Sequence, residues 1–460
     1  MKQLRTCVLV FLLFICCARS FSSTNYSYFR IPIALLTKQF VQSTGFIRDH
    51  KWDDTYAFGY ISIEKVRALP QAVQPYTIEL DALDWAQNDY DPKTLQVRNL
   101  AISSSASYEA YHTYETLTEE LRNLAEAYPN LATLNTAGKS VEGRQLWYLR
   151  ISSQSKSIAK PKLLYISSMH GDEVVGKELM VYLARELLSS YGTDDRITRL
   201  VDYGDIFVMP SMNPDGTAQK QRFNSHGADL NRSFPFLSSR NESESYEPEI
   251  QAIMDLHRKI HFLVALNFHG GSLCMNIPWD SHPNQTAEQL FGDDPVMRWM
   301  ARNYADRNKP MYNVHYANFV HGVTYGFEWY QILGGMQDWA SHYEQSIHAT
   351  AEVSNVKWPQ ASTLPTFWQD NKDSLLQYLE DGLMGVHLRV TDTHGNLLPV
   401  NVKVDSLRRS LKYSGIVHRV TAAGLQRVTI EAKGYQMKIL DLPAALFVGS
   451  FHDITLEPEK

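Results

Sequence analysis

His170 and Glu173 stand three residues apart in the stretch KLLYISSMHGDEVVGKEL, residues 162–179. An imidazole and a carboxylate at that spacing can close on one metal ion if the backbone turns sharply. Gly171, between them, lacks the Cβ that resists such a turn. Alone the pair is a weak signal, since many surface helices carry one and two solvated loop residues are the plainer alternative. Its setting strengthens it. Leu163 to Ile166 is a bulky apolar run of strand type, and a helical pattern starts at Lys177. Sites in α/β sheets sit where a strand opens into a loop at its C-terminal end. A second histidine, His269, ends the apolar stretch Phe262–Phe268 and is followed by Gly270-Gly271. Such a histidine is usually a satisfied core or loop residue. Beside His170 and Glu173 it is the natural third ligand, and three protein ligands leave the fourth position of a zinc ion to water. Zinc lowers the pKa of that water and polarises a carbonyl.

The elements that must hold these groups are readable from Tyr108 onward. Leu117 to Tyr128 reads as an amphipathic helix with Leu117, Leu121, Leu124 and Ala125 on one face, stopped by Pro129. Strands Leu146–Ile151, Leu163–Ser167, Asp205–Pro210 and Phe262–Phe268 then alternate with helices Gly176–Ser190 and Pro248–Ile260, and a helix over Ser374–Met384 closes the block. The alternation predicts an α/β body over residues 106–384, with a mixed central sheet flanked by helices. From Gly385 the texture changes to short strands, Val386–Thr391, Val400–Asp405, Val417–Thr421, Arg427–Ala432 and Phe447–Leu456, with turns such as His394-Gly395-Asn396. Residues 385–460 thus read as a small all-β sandwich without a cluster of titratable groups, expected to give support or docking.

Residues 21–105 are the least readable. Tyr56–Glu64 and Pro75–Leu83 look like strands, Ile63–Ala68 like a helix start that Pro70 ends, and an aromatic-rich segment like loop. The reading is a small α/β prefix joined by the polar linker 103–107, either a prosegment over the site or a fixed packing layer. Residues 1–20 read as a secretory signal: Lys2 and Arg5, the short apolar run Val8–Cys17, then Ala18 and Ser20 before cleavage. That run is too short for a membrane span and no later stretch is long enough, so no membrane span is expected; a signal anchor is the alternative. The expected place is secreted or in the secretory pathway, or periplasmic in a bacterium. Cys7, Cys16 and Cys17 leave with the signal, so Cys274 has no partner for an internal disulfide. Asn25, Asn231, Asn241 and Asn284 start formal N-glycosylation sequons. A net charge of −6 without blocks of like charge argues against nucleic acid as partner.

Several motifs, in order, resemble the zinc metallocarboxypeptidases, and within them the subgroup of carboxypeptidases D, E, M and N. Two histidines and a glutamate are the ligand set known from carboxypeptidase A. The resemblance runs from about Tyr108 to the C-terminus, because that subgroup carries a transthyretin-like β-domain after its catalytic one. It implies one zinc ion per chain on His170, Glu173 and His269, and peptide or protein C-termini as substrate. Glu352, in Thr350-Ala351-Glu352-Val353-Ser354 and 22 residues after Tyr330, matches the catalytic glutamate, a carboxylate that takes a proton from water and delivers it to the leaving amine. Asp229-Leu230-Asn231-Arg232 resembles the motif that grips the terminal carboxylate, for which a guanidinium fork and an amide are suited. Arg222 matches the arginine that stabilises the oxyanion. Tyr330 matches the mobile tyrosine that closes over the bound terminus.

Specificity is implied at two more positions. Asp280, in Asn276-Ile277-Pro278-Trp279-Asp280, stands where the subgroup carries an aspartate at the base of the side-chain pocket, and Gln337 where it carries a polar pocket residue. A buried carboxylate needs a partner, which a C-terminal Arg or Lys would supply; a loop aspartate facing water is the alternative. The chain departs from the family pattern at Ser233-Phe234 and at Trp339-Ala340-Ser341, which leaves the detailed pocket shape open. Rival readings are a same-fold exopeptidase for cell-wall peptides, an inactive binding homologue, and adhesion modules with the enzyme secondary. The presence of all three ligands and Glu352 opposes an inactive homologue.

Overall fold

Alternating buried positions build the first sheet. The computed structural model describes residues 110–459 except 155–158, 236–244, 284–285, 287–289, 315–318, 408 and 446–450. Within the first 109 residues it describes 26–32, 46–52, 56–62, 78–80 and positions 35, 36, 40, 41, 44 and 65. In the prefix, β1 (Tyr26–Pro32), β2 (Ile47–Trp52), β3 (Tyr56–Ser62) and β4 (Ile78–Leu80) form an antiparallel sheet in the order β2-β3-β1-β4. Phe29 and Ile31 on β1 and Ala57 and Ile61 on β3 join Phe40 and Phe46 in a small core of their own. The aromatic-rich segment read as loop is therefore partly strand: aromatic and β-branched residues fit a pleated, half-buried surface. The helix read over 63–68 falls outside the described residues but for Lys65, as do the signal 1–20 and the linker 103–107.

The body is one mixed sheet of β5 (Ala132–Lys139), β6 (Gln145–Ile151), β7 (Lys162–Ser167), β8 (Asp205–Met209), β9 (Val264–His269), β10 (Ser272–Ile277), β11 (Val323–Tyr325) and β12 (Ile347–Ser354), in the order β11-β10-β12-β9-β7-β8-β6-β5. At its centre β12, β9, β7 and β8 run parallel, while β10 pairs antiparallel with β12. In chain order the helices are α1 (Tyr114–Ala127), α2 (Val175–Ser189), α3 (Asp195–Tyr203), α4 (Pro214–Gln219), α5 (Pro248–Ile260), α6 (Asp294–Arg307), α7 (Lys309–Tyr312), α8 (Gly326–Trp329), α9 (Met336–Tyr343) and α10 (Leu364–Leu383).

Both sheet faces are covered, which explains the continuous apolar runs Leu163–Ile166 of β7 and Ile206–Met209 of β8. Leu163 and Tyr165 of β7 enter a core with residues of α1, α2, α3, α6 and α10; Leu164 and Ile166 enter another with residues of α5 and α9. Helix α1 starts before Leu117 because Thr113 caps it, accepting from Thr116 N at 3.3 Å. It buries Leu117, Leu121 and Leu124, each contributing about 1.5–3 kcal/mol. Helix α10 starts at Leu364, not Ser374: Pro365 lies in its first turn, where its missing N–H costs nothing.

After the body come β13 (Val386–Thr391), β14 (Val400–Val404), β15 (Ser410–Tyr413), β16 (Ile416–Arg419), β17 (Gly424–Glu431), β18 (Lys438–Ala444) and β19 (His452–Thr455). They form a sheet β16-β13-β19 and a sheet β15-β14-β17-β18. Val386, Leu388 and Val390 of the first and Val402 and Ile430 of the second are buried in one core. Strand β18 is absent from the sequence reading, and of the strand read over 447–456 the described part is His452–Thr455. Arg419 of β16 ties the β-region to the body, its two terminal nitrogens donating to the buried Asp293 at 2.6 Å each. Among the described residues no helix is long and apolar enough to cross a membrane.

Candidate active site

β7, β9 and β12 lie side by side, and each delivers part of the site at its C-terminal end. After β7 the chain turns at Ser168, which takes a positive φ of 50°, and carries His170 and Glu173 into the loop before α2. Gly171 is needed there for closeness, not for a left-handed turn: a Cβ would lie 2.1 Å from the Gly216 carbonyl carbon. His269 ends β9. Glu352 on β12 is the register partner of His269 on one side and of Cys274 on the other.

The three expected ligands come together. His170 Nδ1 and His269 Nδ1 are 3.1 Å apart. Glu173 Oε1 lies 3.0 Å from the first and Oε2 2.8 Å from the second. All three side chains are buried, and their ligand atoms lie within 4.8 Å of one another, a group that could hold a metal ion. Two converging imidazole nitrogens and a carboxylate suit zinc. Burial pushes His269 down to about 4 against the pull of Glu173, so its ring is neutral near pH 7, the form that ligates a metal.

The outward ring nitrogens also have partners. His170 Nε2 lies 3.1 Å from Asp229 Oδ1, and His269 Nε2 lies 2.8 Å from Asn267 Nδ2. An imidazole that ligates through Nδ1 carries its proton on Nε2 and needs an acceptor there. Asp229 is one. Asn267 becomes one when its amide turns to present Oδ1, which has no hydrogen-bond partner among the described residues.

Arg222 borders the trio. Its Nε donates to Asp229 Oδ2 at 3.0 Å and one terminal nitrogen to Glu173 Oε1 at 3.4 Å. Burial pushes Asp229 up, but Arg222, Arg232 and His170 outweigh it and hold the carboxyl well below its usual range. Lys357 adds a cation, its Nζ 3.3 Å from Asp172 Oδ2 and 3.4 Å from Glu173 Oε1.

Asn231 and Arg232 sit on a short 3₁₀ turn capped by Asp229, whose Oδ1 accepts from Asn231 N at 2.9 Å. Asn231 Oδ1 accepts from Met336 N at 3.0 Å, so this sequon is buried and engaged. Asp280 is buried beside Gln337: its Oδ1 accepts from Gln337 Nε2 at 2.8 Å and from Asn276 Nδ2 at 3.1 Å. A Cβ on Gly335 would lie 3.1 Å from Asp280 Oδ2 and 3.6 Å from Asn231 Oδ1, so both line the same spot. Tyr330 packs edge-on against Trp329 and joins Cys274, Phe319 and Ile332 in one cluster. Cys274, free and buried, thus lies between that cluster and Glu352.

The sequence reading did not assign Asn267, Asn276, Asp338 or Lys357. Asn267 was findable, two residues before His269 and so on the same strand face. Lys357 was not, since its partner Asp172 is 185 residues away.

The sequence profile of the zinc carboxypeptidase family matches residues 117–374. Carboxypeptidase M of Mus musculus is 38% identical over 314 residues, covering 64% of this chain and 70% of that one. Carboxypeptidase D of Homo sapiens is 34% identical over 375 residues, covering 74% of this chain; the chain spans 27% of that relative's length. The solved structure of carboxypeptidase A from Helicoverpa armigera superposes with a TM-score of 0.58 at 17% identity, covering 77% of this chain and 96% of that one, a likeness of fold. The profile begins in α1, ends in α10 and takes in every residue just described: the chain belongs to the zinc carboxypeptidase family and is a metallocarboxypeptidase.

Proposed function

We propose that this chain releases single basic residues, arginine or lysine, from the C-termini of peptides or proteins, with one zinc ion on His170, Glu173 and His269. The observation that carries the specificity is Asp280, a carboxylate 3% exposed that meets the amides of Asn276 and Gln337. An ammonium or guanidinium head compensates such a charge; a leucine or phenylalanine leaves it desolvated at a cost of several kcal/mol.

Zinc, when bound, supplies Lewis acidity toward the scissile carbonyl and lowers the pKa of water. Glu352 takes the proton of the attacking water and passes it to the departing amine. Arg222 stabilises the oxyanion that develops on the carbonyl oxygen. Asn231 and Arg232 hold the terminal carboxylate; with Asn231 Oδ1 engaged by Met336, its amide hydrogens face this task. Tyr330 closes over the bound terminus. Residues 106–384 form the catalytic body, 385–460 a transthyretin-like support, and 21–105 a prosegment or packing layer. Residues 1–20 direct the chain into the secretory pathway.

The test is a C-terminal residue scan on the purified protein, with and without chelator. Arginine and lysine are released fastest, and chelator stops release. Preference for phenylalanine overturns the specificity, and full activity in chelator overturns the metal.

A further inference from the structure

The pocket base holds two carboxylates, and only Asp280 has been given a role. Asp338, next to Gln337 on α9, is buried too. Its Oδ1 accepts from Asp280 N at 2.9 Å and its Oδ2 from Ser281 N at 3.0 Å. Two backbone donors on two oxygens favour the ionised carboxylate. Asp280 has only neutral amides on its Oδ1. Burial first, and then the Asp338 charge, push the Asp280 carboxyl well above its usual range. Burial raises the Asp338 carboxyl as well, but there the hydrogen bonds from Ser281 and from Asp280 N, and then His282, pull it part of the way back, while Arg232 and two side-chain amides pull on Asp280; Asp280 is the one left well above its usual range. Cys274 on β10 is kept protonated by burial, with Glu352 and Asp280 adding to the effect. Gly326 leaves the approach open, since a Cβ there would lie 1.6 Å from Asp280 Oδ1. Two buried acids this close titrate as a pair and retain a proton until a cation arrives.

Building on the basic specificity proposed above, we propose that Asp338 is a second specificity-determining residue: it keeps the negative charge of the pair, so that Asp280 exchanges a proton for the cationic head of the departing residue. The exchange balances. One proton leaves for solvent, one guanidinium or ammonium takes its place, and the pocket base keeps the same net charge. An uncharged side chain of the same shape releases no proton.

The experiment compares kcat/KM for matched peptides ending in arginine and in citrulline, its uncharged isostere, between about pH 5 and about pH 8. Groups at the metal act on both substrates and cancel in the ratio. The arginine-to-citrulline ratio is expected to climb with pH, by up to about tenfold per pH step of one where Asp280 is protonated. The climb resides in KM. In Asp338→Asn, which keeps size and one acceptor, it moves to lower pH by about one or more. A flat ratio in the native enzyme, or an unmoved climb in Asp338→Asn, overturns the inference. If Asp338→Asn fails to fold, Asp338→Ser, which also removes the charge and keeps an acceptor, takes its place with the same expected move to lower pH. Failure of the two readings is distinguishable. A native enzyme indifferent to arginine and citrulline at every pH refutes basic specificity and this inference with it. One that prefers arginine, loses the preference in Asp280→Ala, yet keeps its profile in Asp338→Asn, refutes only the role of Asp338.

Discussion

The two ends of the site bury their carboxylates in opposite ways. At the metal end, Glu173 has Arg222 and Lys357 within 3.4 Å, and Asp229 is bound by Arg222 Nε at 3.0 Å. At the pocket end, Asp280 and Asp338 meet amides and backbone N–H groups, with no ion pair among the described residues. The carboxyls respond accordingly. Burial raises both Asp229 and Asp280, but cations reverse it at Asp229, whereas Asp338 reinforces it at Asp280. The metal end carries its own compensation and is arranged in advance for an ion. The pocket end holds no cation in contact with either carboxylate among the described residues, and under the specificity proposed above a basic substrate brings one in exchange for a proton.

Breaking the pocket end has the largest expected effect. Asp280→Ala removes the need for a cation, so the ratio of kcat/KM for arginine over phenylalanine substrates falls, by as much as ~10⁴. An unchanged ratio in that variant removes Asp280 from the pocket. Breaking the metal end acts on rate instead. Glu352→Gln keeps shape but accepts no proton, and kcat drops by ~10²–10⁴ while zinc stays at the native stoichiometry. Near-normal kcat rules Glu352 out. His269→Ala should separate from it by losing the metal itself, read as sub-stoichiometric zinc; full occupancy would take His269 out of the site. A smaller effect sharpens the metal end. Asn267→Leu leaves His269 Nε2 without an acceptor, and zinc transfer to a chelator speeds up by ~10–100-fold, whereas Asn267→Asp restores slow transfer. Equal rates in all three proteins would show that Asn267 merely packs.

What was legible beforehand follows the same division. His170 and Glu173, and Asp229 to Arg232, sit in local spacings that folding preserves, and Pro248 and Ile260 bound α5 as read because a proline starts it. Strand β12 was missing from the sequence reading although Ile347 to Ser354 alternates apolar and polar residues throughout; all eight are buried, so here the alternation does not mark a solvent-facing side. Strand β10 differs: almost wholly buried, it runs Leu273-Cys274-Met275 without a polar residue and shows no alternation to read. Pairings across the fold were beyond reach. Asp338 acts on backbone N–H groups 57 and 58 residues away, and no side-chain pattern records a backbone partner.

The smallest expected effect concerns the prefix, which lies outside the comparison of the two ends and tests whether they suffice. Every residue assigned a role lies beyond Pro161. The prefix has its own antiparallel sheet and its own core of Phe29, Ile31, Phe40, Phe46, Ala57 and Ile61, none of which enters the clusters around the site. The body is anchored independently at its start: Tyr111 OH donates to Pro359 O at 2.9 Å, and His112 N donates to the buried Glu178 at 2.9 Å. A chain trimmed to residue 106 therefore keeps its anchor and both ends of the site. Its kcat/KM for arginine substrates stays unchanged if the prefix is a packing layer and rises if the prefix covers the site. The decisive control is thermal unfolding of the trimmed chain. A trimmed protein that unfolds cooperatively near the native temperature, binds zinc and yet hydrolyses nothing would mean that the prefix supplies part of the catalytic apparatus.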